Sequence, residues 1–205
     1  DRYGIRMILL MRGSGAALQL LEENRVHAAG IHFAGEDGEA NLAAARETLR
    51  ERAALLTTAV WEEGLALAPA VTAATLADVV RGNLRWVGRE DGAAARRCCE
   101  HLFAEFGLAL PEGFSHPVSS HRTVAEVIRA GMAEVGPCVR LTAAEAGLRF
   151  LRIRNERHDL VIPVRYMDDP RLTALRDVVQ SPRYRRRLAA LPGYESGLTG
   201  EWRYA

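Results

Sequence analysis

Short apolar runs alternate with helical segments along this chain, and that order constrains its fold more than any other feature. The runs at 5–11, 26–33 and 53–60 are continuous and short, as expected of strands buried in a sheet. The segments 16–24 and 41–50 between them place leucine or alanine at helical spacing. This β-α-β-α-β order favours a parallel sheet covered by helices. The sequence therefore predicts an α/β protein.

The middle and the end of the chain continue this pattern. Asn41 and Thr75 are predicted helix N-caps, and two later helices are predicted to begin at Pro170 and Pro182, since proline suits the first helical position. The residues from 108 to 120 are predicted to form a loop. The further predicted strands cover 64–69, 84–87, 136–141, 150–153 and 160–164, and the further helices cover 75–81, 92–106, 123–133, 142–146, 170–180 and 182–191.

The charge composition excludes several kinds of chemistry. The 205 residues include 27 Lys or Arg and 26 Asp or Glu, so the net charge of +1 does not indicate a nucleic-acid surface over the whole chain. Every basic residue is an arginine, which excludes Schiff-base lysines and the lysines of P-loop and kinase sites. Arginine is suited to the fixed, planar recognition of anions.

The cysteines and the apolar runs give expectations about compartment and cofactors. Cys98, Cys99 and Cys138 are too irregular for a disulfide framework, which favours a reducing, cytoplasmic compartment. Adjacent cysteines on a helix point about 100° apart, so no metal site is predicted there and no cofactor is expected. No apolar run approaches the roughly 20 residues that cross a bilayer, so no membrane partner is predicted. The first residues resemble no signal peptide and lack a methionine, which indicates a fragment or a processed chain.

Ser14 lies at the first of three polar junctions between a predicted strand and a predicted helix. A helix start offers free backbone N–H groups and a positive dipole end to an anion, and the Ser14 hydroxyl adds a donor. Glycine and serine are also ordinary turn residues, which is the alternative interpretation. His32 follows the next apolar run and is predicted to line a cleft at the strand end, although a purely structural histidine is the alternative there.

Arg89 and Arg96 flank the second junction. Two arginines beside a helix start are suited to hold a carboxylate or an oxyanion. The alternative is that both are solvated or pair with Glu90 and Asp91.

Ser120, His121 and Thr123 belong to the third junction, which is dense in hydrogen-bond donors. Ligands of open α/β sheets collect outside the carboxyl ends of strands, so the three junctions together predict a binding site. The alternative for Ser120 or Thr123 is a capping role that needs no ligand. The chain has no Gly-x-Ser-x-Gly, His-Glu-x-x-His or full P-loop motif, so catalysis is not predicted.

Five segments carry a resemblance to a known family. Residues 27–33 and 38–42 are similar to its "VAGxHL…GEYN" segment, and 156–163, 181–182 and 191–200 are similar to later signatures of that family. The family is the periplasmic-binding-protein-like substrate-binding domain of cytoplasmic proteins. It is often fused to a helix-turn-helix or to a molybdopterin-biosynthesis enzyme, and it is related to molybdate-binding proteins.

The resemblance implies a two-lobed, type II binding-protein fold with a ligand cleft between the lobes. Lobe I would comprise 1–64 and 160–205, lobe II would comprise 65–159, and strands near 61–69 and 156–164 would cross between them. The residues carried over as ligand contacts are Ser14, His32, Arg89, Arg96, Ser120, His121 and Thr123.

The chain departs from the family at two places. Where the family has "RxxGSGTR", residues 89–96 keep both arginines but have alanine in place of the hydroxyl residues. A carboxylate or a larger anionic metabolite is therefore a candidate ligand in addition to molybdate and tungstate. The family domain also begins with one more strand and helix, so its first ligand-binding loop is expected upstream of Asp1.

The leading hypothesis is a ligand-sensing effector domain of a transcriptional regulator rather than an enzyme. A small anionic ligand would favour lobe closure and so act on an attached helix-turn-helix, which would make any DNA contact from outside this chain. The alternatives are an oxyanion-transport binding protein and an accessory domain in molybdenum-cofactor biosynthesis. A homodimer is left open.

Overall fold

The helices were located in a computed structural model, which describes residues 4–33, 35 and 37–205. Helix bounds agree with the predicted segments to within a few residues. In chain order they are α1 Ser14–Glu22, α2 Glu39–Thr48, α3 Leu76–Arg81, α4 Ala94–Glu105, α5 His121–Arg129, α6 Arg140–Glu145, α7 Pro170–Gln180 and α8 Pro182–Ala189.

The strands of the described residues form a six-stranded sheet. In chain order they are β1 Ala29–Ile31, β2 Ala53–Leu67, β3 Val135–Val139, β4 Arg149–Pro163, β5 Tyr194–Glu195 and β6 Trp202–Tyr204. The sheet order is β1-β4-β2-β3, and β5 and β6 also pair with β2. Strand β1 is antiparallel to β4, and β2 is antiparallel to β3 and β6.

The predicted parallel sheet is wrong for these strand pairs. Parallel pairing occurs at two isolated bridges, Trp86 with Val135 and Arg89 with Val118, so the predicted strand at 84–87 is reduced to single-residue pairing. The alternation of strands and helices does not fix strand direction here, because β1 pairs with a strand more than 100 residues later in the chain.

Each of two predicted strand pairs is one long strand. The runs 150–153 and 160–164 join as β4. The runs 53–60 and 64–69 join as β2, although Glu62 and Glu63 interrupt the apolar pattern. Glu63 lies opposite Val139 in the β2–β3 ladder and is fully buried, so a polar residue here does not end the strand.

The described residues divide into two compact units. Unit 1 takes them from Asp1–Val60, Glu156–Ala190 and Tyr194–Ala205, and unit 2 takes them from Trp61–Asn155 and Leu191–Gly193. The core of unit 1 packs α1 and α2 on β1 through buried leucines and isoleucine. Unit 2 has two buried clusters, one around the β2 leucines and one under α5. Strands β2 and β4 contribute residues to both units.

The first apolar run, 5–11, is not a buried strand as predicted. It has no regular secondary structure, and Met7, Ile8, Leu9 and Met11 are each 69% exposed or more. A strand needs a neighbour for its backbone N–H and C=O groups, and this segment pairs with no strand among the described residues. The apolar sequence of this segment therefore predicted a buried strand, but the segment is exposed because it has no strand to pair with among the described residues.

Helix caps show where side chains decide the helix ends. Thr75 caps α3 as predicted and forms a capping box with Asp78. Asn41 is not an N-cap, because α2 begins two residues earlier, after Gly38, whose φ of +71° suits glycine. The Asn41 side chain is instead fully buried and bonded elsewhere in unit 1.

Candidate functional site

Ser14 and His32 are hydrogen-bonded to each other in unit 1. The sequence predicted them as two separate candidate site residues. The Ser14 hydroxyl donates to the carbonyl of His32 at 3.0 Å and accepts from the His32 backbone N–H at 3.0 Å. Ser14 is the first residue of α1, and His32 follows β1 directly. Through these two hydrogen bonds, one hydroxyl therefore holds the backbone at the end of β1 against the start of α1.

The His32 imidazole is held by a carboxylate that the sequence interpretation did not single out as a site residue. His32 Nδ1 lies 2.9 Å from Glu156 Oε2. The Glu156 side chain is fully buried, whereas that of His32 is 29% exposed. The partly exposed imidazole is therefore oriented by a hydrogen bond to a buried carboxyl group.

A second histidine lies beside this pair. The His158 ring centroid is 6.4 Å from that of His32, and Thr58 Oγ1 lies 2.6 Å from His158 Nδ1. Burial is the main reason that the pKa of His158 falls to about 4; the nearby His32 lowers this pKa further, and Asp159 opposes the shift. His158 is therefore neutral at physiological pH.

A buried polar network holds the segment that follows His32. Asp159 accepts from Thr57 Oγ1 at 2.8 Å, from Asn41 Nδ2 at 2.8 Å, from Arg157 at 3.2 Å and from Arg203 at 2.9 Å. Asn41 Oδ1 also accepts a hydrogen bond of 2.7 Å from the backbone N–H of Phe33, the residue that follows His32. This network therefore fixes the backbone directly after His32.

Arg89 is a tightly bound side chain in unit 2. Its guanidinium donates to the Glu90 carboxylate at 2.8 and 2.9 Å and to the carbonyls of Val118 and Ser119 at 3.1 Å. The hydrogen bond from Arg89 is the main cause of a lowered pKa at Glu90. Arg89 thus joins the segment before α4 to the segment before α5.

Arg96 makes a second link between the same segments. Its Nε lies 3.0 Å from Asp91 Oδ1 and 3.0 Å from Glu100 Oε1, and its Nη1 donates to the carbonyls of Arg89 and Phe114. Both arginines therefore pair with neighbouring carboxylates, which is the alternative that the sequence left open. Their role in ligand binding stays a prediction.

The third junction also has local partners. Ser120 caps α5 by accepting from the Thr123 N–H at 3.1 Å, and its hydroxyl lies 2.8 Å from the Thr123 hydroxyl. His121 is the first residue of α5, and its carbonyl accepts from the Cys138 thiol. By contrast, α4 has Ala93 as its N-cap, with no side-chain hydrogen bond at that position.

The predicted site residues of the three junctions thus form two groups in the structure, one in each unit. Ser14 and His32 form one in unit 1. In unit 2, the Arg89–Ser119 bond and the Arg89–Val118 bridge bring the second and third junctions together. Unit 2 also has an open depression of about 690 Å³, lined by alanines, Arg85 and Glu134 among others, which contains none of the predicted site residues.

The three cysteines are buried and are present as thiols. Burial raises the pKa of the Cys99 thiol strongly and that of Cys138 to about 12, so these thiols are unreactive. In the described part of the chain, no three His, Cys, Asp or Glu side chains are grouped to hold a metal ion. The helices described are all too short or too polar to cross a membrane.

A family model described as a PBP superfamily domain matches residues 1–180. The chain belongs to the PBP superfamily. Among curated relatives, this PBP domain is 26% identical to the uncharacterized protein YvgK of Bacillus subtilis (strain 168) over 126 residues, which is 60% of the chain and 40% of YvgK. The chain therefore spans less than half of the length of that relative.

Two solved structures show the same PBP fold at low sequence identity. A substrate-binding protein assigned to a phosphate ABC transporter of Clostridium perfringens, with bound phosphate, has a TM-score of 0.60 at 11% identity, covering 88% of this chain and 84% of that one. The effector-binding domain of QuiR in complex with shikimate has a TM-score of 0.57 at 12% identity, covering 81% and 76%. These likenesses support the predicted α/β, periplasmic-binding-protein-like fold.

Proposed function

We propose that this PBP domain binds a small anionic or polar metabolite and serves as the effector domain of a transcriptional regulator. The observation that carries the proposal is the gathering of the predicted polar residues at strand-to-helix junctions within each unit. Ser14 and His32 form one such group, and Arg89 and Arg96 link the other two junctions. The cleft between lobes that the family resemblance implies remains a prediction.

Arg96 is the side chain in unit 2 that we assign to the anion. Its partner Asp91 is 92% exposed, and exposed ion pairs contribute only about 0–1 kcal/mol. A ligand carboxylate can replace Asp91 at little cost and also meet the backbone N–H groups at the start of α4. Arg89 is 10% exposed and bonded to two carbonyls, so we assign it to holding the site together.

The known ligands of the structural neighbours support a small anionic ligand. One neighbour holds phosphate and another holds shikimate, a carboxylic acid. The candidate ligands of this chain are carboxylates and larger anionic metabolites, together with molybdate and tungstate. Action on an attached DNA-binding module and a cytoplasmic location are parts of the same proposal, which leaves the oligomeric state open. Oxyanion transport and a role in molybdenum-cofactor biosynthesis are its alternatives.

A thermal-shift screen of the chain tests this proposal. The panel contains molybdate, tungstate, phosphate, shikimate and malate. A ligand that binds only the native state stabilises it by about 2.7 kcal/mol at a hundredfold excess over its Kd, which raises the Tm of a domain of this size by roughly 5–10 °C. We expect such a rise with at least one anion. No rise with any of them at millimolar concentration would contradict the proposal.

A further inference from the structure

Helix α8 carries a concentration of positive charge on its exposed side. Its four arginines, Arg183, Arg185, Arg186 and Arg187, are all exposed, whereas Leu188 of the same helix is buried in unit 1. Arg186 and Arg187 follow Arg183 by three and four positions, so these three share one side of the helix with about 5–6 Å between neighbouring Cβ atoms. We call these three residues the arginine face. The whole chain has a net charge of only +1, so this charge is a local feature.

The fold does not compensate the charge of this helix. Residues 178–194 contain no Asp or Glu, and no carboxylate among the described residues pairs with an arginine side chain of α8. By contrast, Arg176 on the preceding helix pairs with Asp177. Like charges three or four positions apart on a helix repel each other. The spacing of the arginine face is therefore unfavourable for the helix itself.

The helix dipole explains only part of the arginine face. Arg186 and Arg187 lie in the last turn of α8, where the negative end of the dipole favours cations. Arg183 is the second residue of the helix, where the positive end of the dipole disfavours a cation. Because Arg183 is repelled by this helix end and by the other two arginines, a partner that binds the face explains its presence better than helix stability does.

We propose that the arginine face of α8 is a contact surface for the phosphate backbone of double-stranded DNA. Duplex DNA carries one negative charge per about 1.7 Å of its axis, so neighbouring guanidinium groups on one helix face can meet several phosphates at once. A planar guanidinium group can donate two parallel hydrogen bonds to one phosphate. Such contacts position a protein on DNA and read no base sequence.

The choice of DNA rests on the proposed function, because the effector domain of a transcriptional regulator acts next to DNA. The arginine face would add a contact from this chain to those of an attached DNA-binding module. A membrane-binding helix presents large apolar side chains to the lipid, whereas the one leucine of α8 is buried. An acidic protein would match the charge, but the proposed function supplies no such partner. Phosphatidylserine vesicles and polyglutamate are therefore the comparison probes.

DNA binding by the whole chain is measured by fluorescence anisotropy. A labelled duplex of about 25 base pairs is titrated with the chain between about 20 and 200 mM NaCl, since phosphate contacts weaken as salt increases. We expect binding at low salt, with a slope of log K against log salt of about −3, which is roughly −0.9 for each of three phosphate contacts. No binding at the lowest salt, or a slope near zero, would overturn the inference.

Two triple variants with the same net charge locate the DNA contact. The first replaces each residue of the arginine face by glutamine. The control combines Arg6→Gln, Arg25→Gln and Arg129→Gln, which are exposed positions outside α8. We expect the first variant to bind DNA at least about tenfold more weakly and to lose most of the salt slope, and the control to stay within about twofold of the wild type. Equal weakening of both variants would mean that only net charge acts, and would overturn the inference.

Thermal unfolding tests a structural role of the face without any DNA. Arg183→Gln is expected to leave the Tm unchanged or to raise it, because the substitution removes repulsion. A clear fall in the Tm would mean that Arg183 stabilises the fold, and would overturn the argument.

The comparison probes separate this inference from the proposed function. Tighter binding of polyglutamate or of phosphatidylserine vesicles than of the duplex, at equal charge concentration, would assign the arginine face to another partner and overturn the inference. Such a result leaves the binding of a small anion standing, since the thermal-shift screen tests that function separately. Failure of the screen together with salt-dependent DNA binding would count against the small ligand and support the role of the arginine face.

Discussion

Asn41 and Asp159 share a hydrogen bond of 2.8 Å inside unit 1, although 118 positions separate them in the chain. The bond joins the third residue of α2 to strand β4. Because Asn41 also accepts from the N–H of Phe33, it holds the chain next to His32 against β4. The polar interior of unit 1 is thus continuous with the candidate site.

Asp159→Asn is expected to destabilise unit 1 strongly. The carboxylate is fully buried and lies 3.2 Å from Arg157 and 2.9 Å from Arg203, so its neutralisation removes the buried charge that both arginines share. Breaking such a pair costs about 3–5 kcal/mol. The free energy of unfolding is measured in urea. The control Asp168→Asn is exposed and is expected to change it by less than about 0.5 kcal/mol; equal stabilities of the two variants would contradict this view of the network.

Gly30→Ala is expected to lower the Tm. A Cβ atom at residue 30 would lie 2.9 Å from Nε2 of His158, which must then move away from its contact with Thr58. Gly15→Ala makes the same substitution in α1, where nothing lies within 4 Å of the new methyl group. We expect this control to be neutral or to stabilise by up to about 1 kcal/mol. Differential scanning calorimetry compares the two, and a neutral Gly30→Ala would show that the His158 packing is not rigid.

His158 is expected to make stability depend on acid pH. Its pKa in the folded protein is about 4, below the ordinary value of 6.5, so the unfolded chain binds the proton more readily between these values. Stability should therefore fall as the pH decreases from 6.5 to 4, by about 3 kcal/mol at 1.36 kcal/mol per unit, and should lose nothing more from this group below pH 4.

The matched variants for this pH effect are His158→Gln and His116→Gln. Unfolding free energies at several pH values should lose most of the slope between pH 4 and 6.5 in His158→Gln, and keep it in His116→Gln, which is exposed. Retention of the full slope in His158→Gln would assign the pH effect to other groups.

The exposed segment 5–11 gives a direct comparison of two isoleucines. Ile8 is 77% exposed and Ile31 is fully buried in β1. Ile31→Ala should cost about 2–5 kcal/mol because it leaves a cavity, whereas Ile8→Ala should cost less than about 0.5 kcal/mol. Urea denaturation measures both. A cost of 2 kcal/mol or more at Ile8 would show that this segment is buried, as its sequence alone suggested.

Much of the fold follows from local sequence. Thr75 and Pro182 mark helix starts by their own chemistry, and the spacing of Leu18 and Leu21 predicts the buried face of α1. Strand partners are not local: nothing near Ala29 indicates that it lies opposite Val161. The same limit explains why segment 5–11 was predicted as a buried strand.

The candidate site was predictable only in part for a similar reason. Ser14 and His32 were visible as polar residues at strand and helix ends. Glu156 and His158 were not, because polar residues within a long strand show their role only when the partner strand is known. Arg89 and Arg96 were found, but their bonds to neighbouring carboxylates and carbonyls depend on how segments 114–119 fold back on them.

Arg96 is the side chain through which we propose that this domain binds a small anion. The most direct test is a calorimetric titration of wild type, Arg96→Ala and the exposed-pair control Arg176→Ala with the compound that gives the largest thermal shift. A charge-assisted hydrogen bond contributes at least about 1.4 kcal/mol, so we predict at least tenfold weaker binding by Arg96→Ala and unchanged binding by Arg176→Ala. Binding by Arg96→Ala as tight as that of the wild type would contradict the claim.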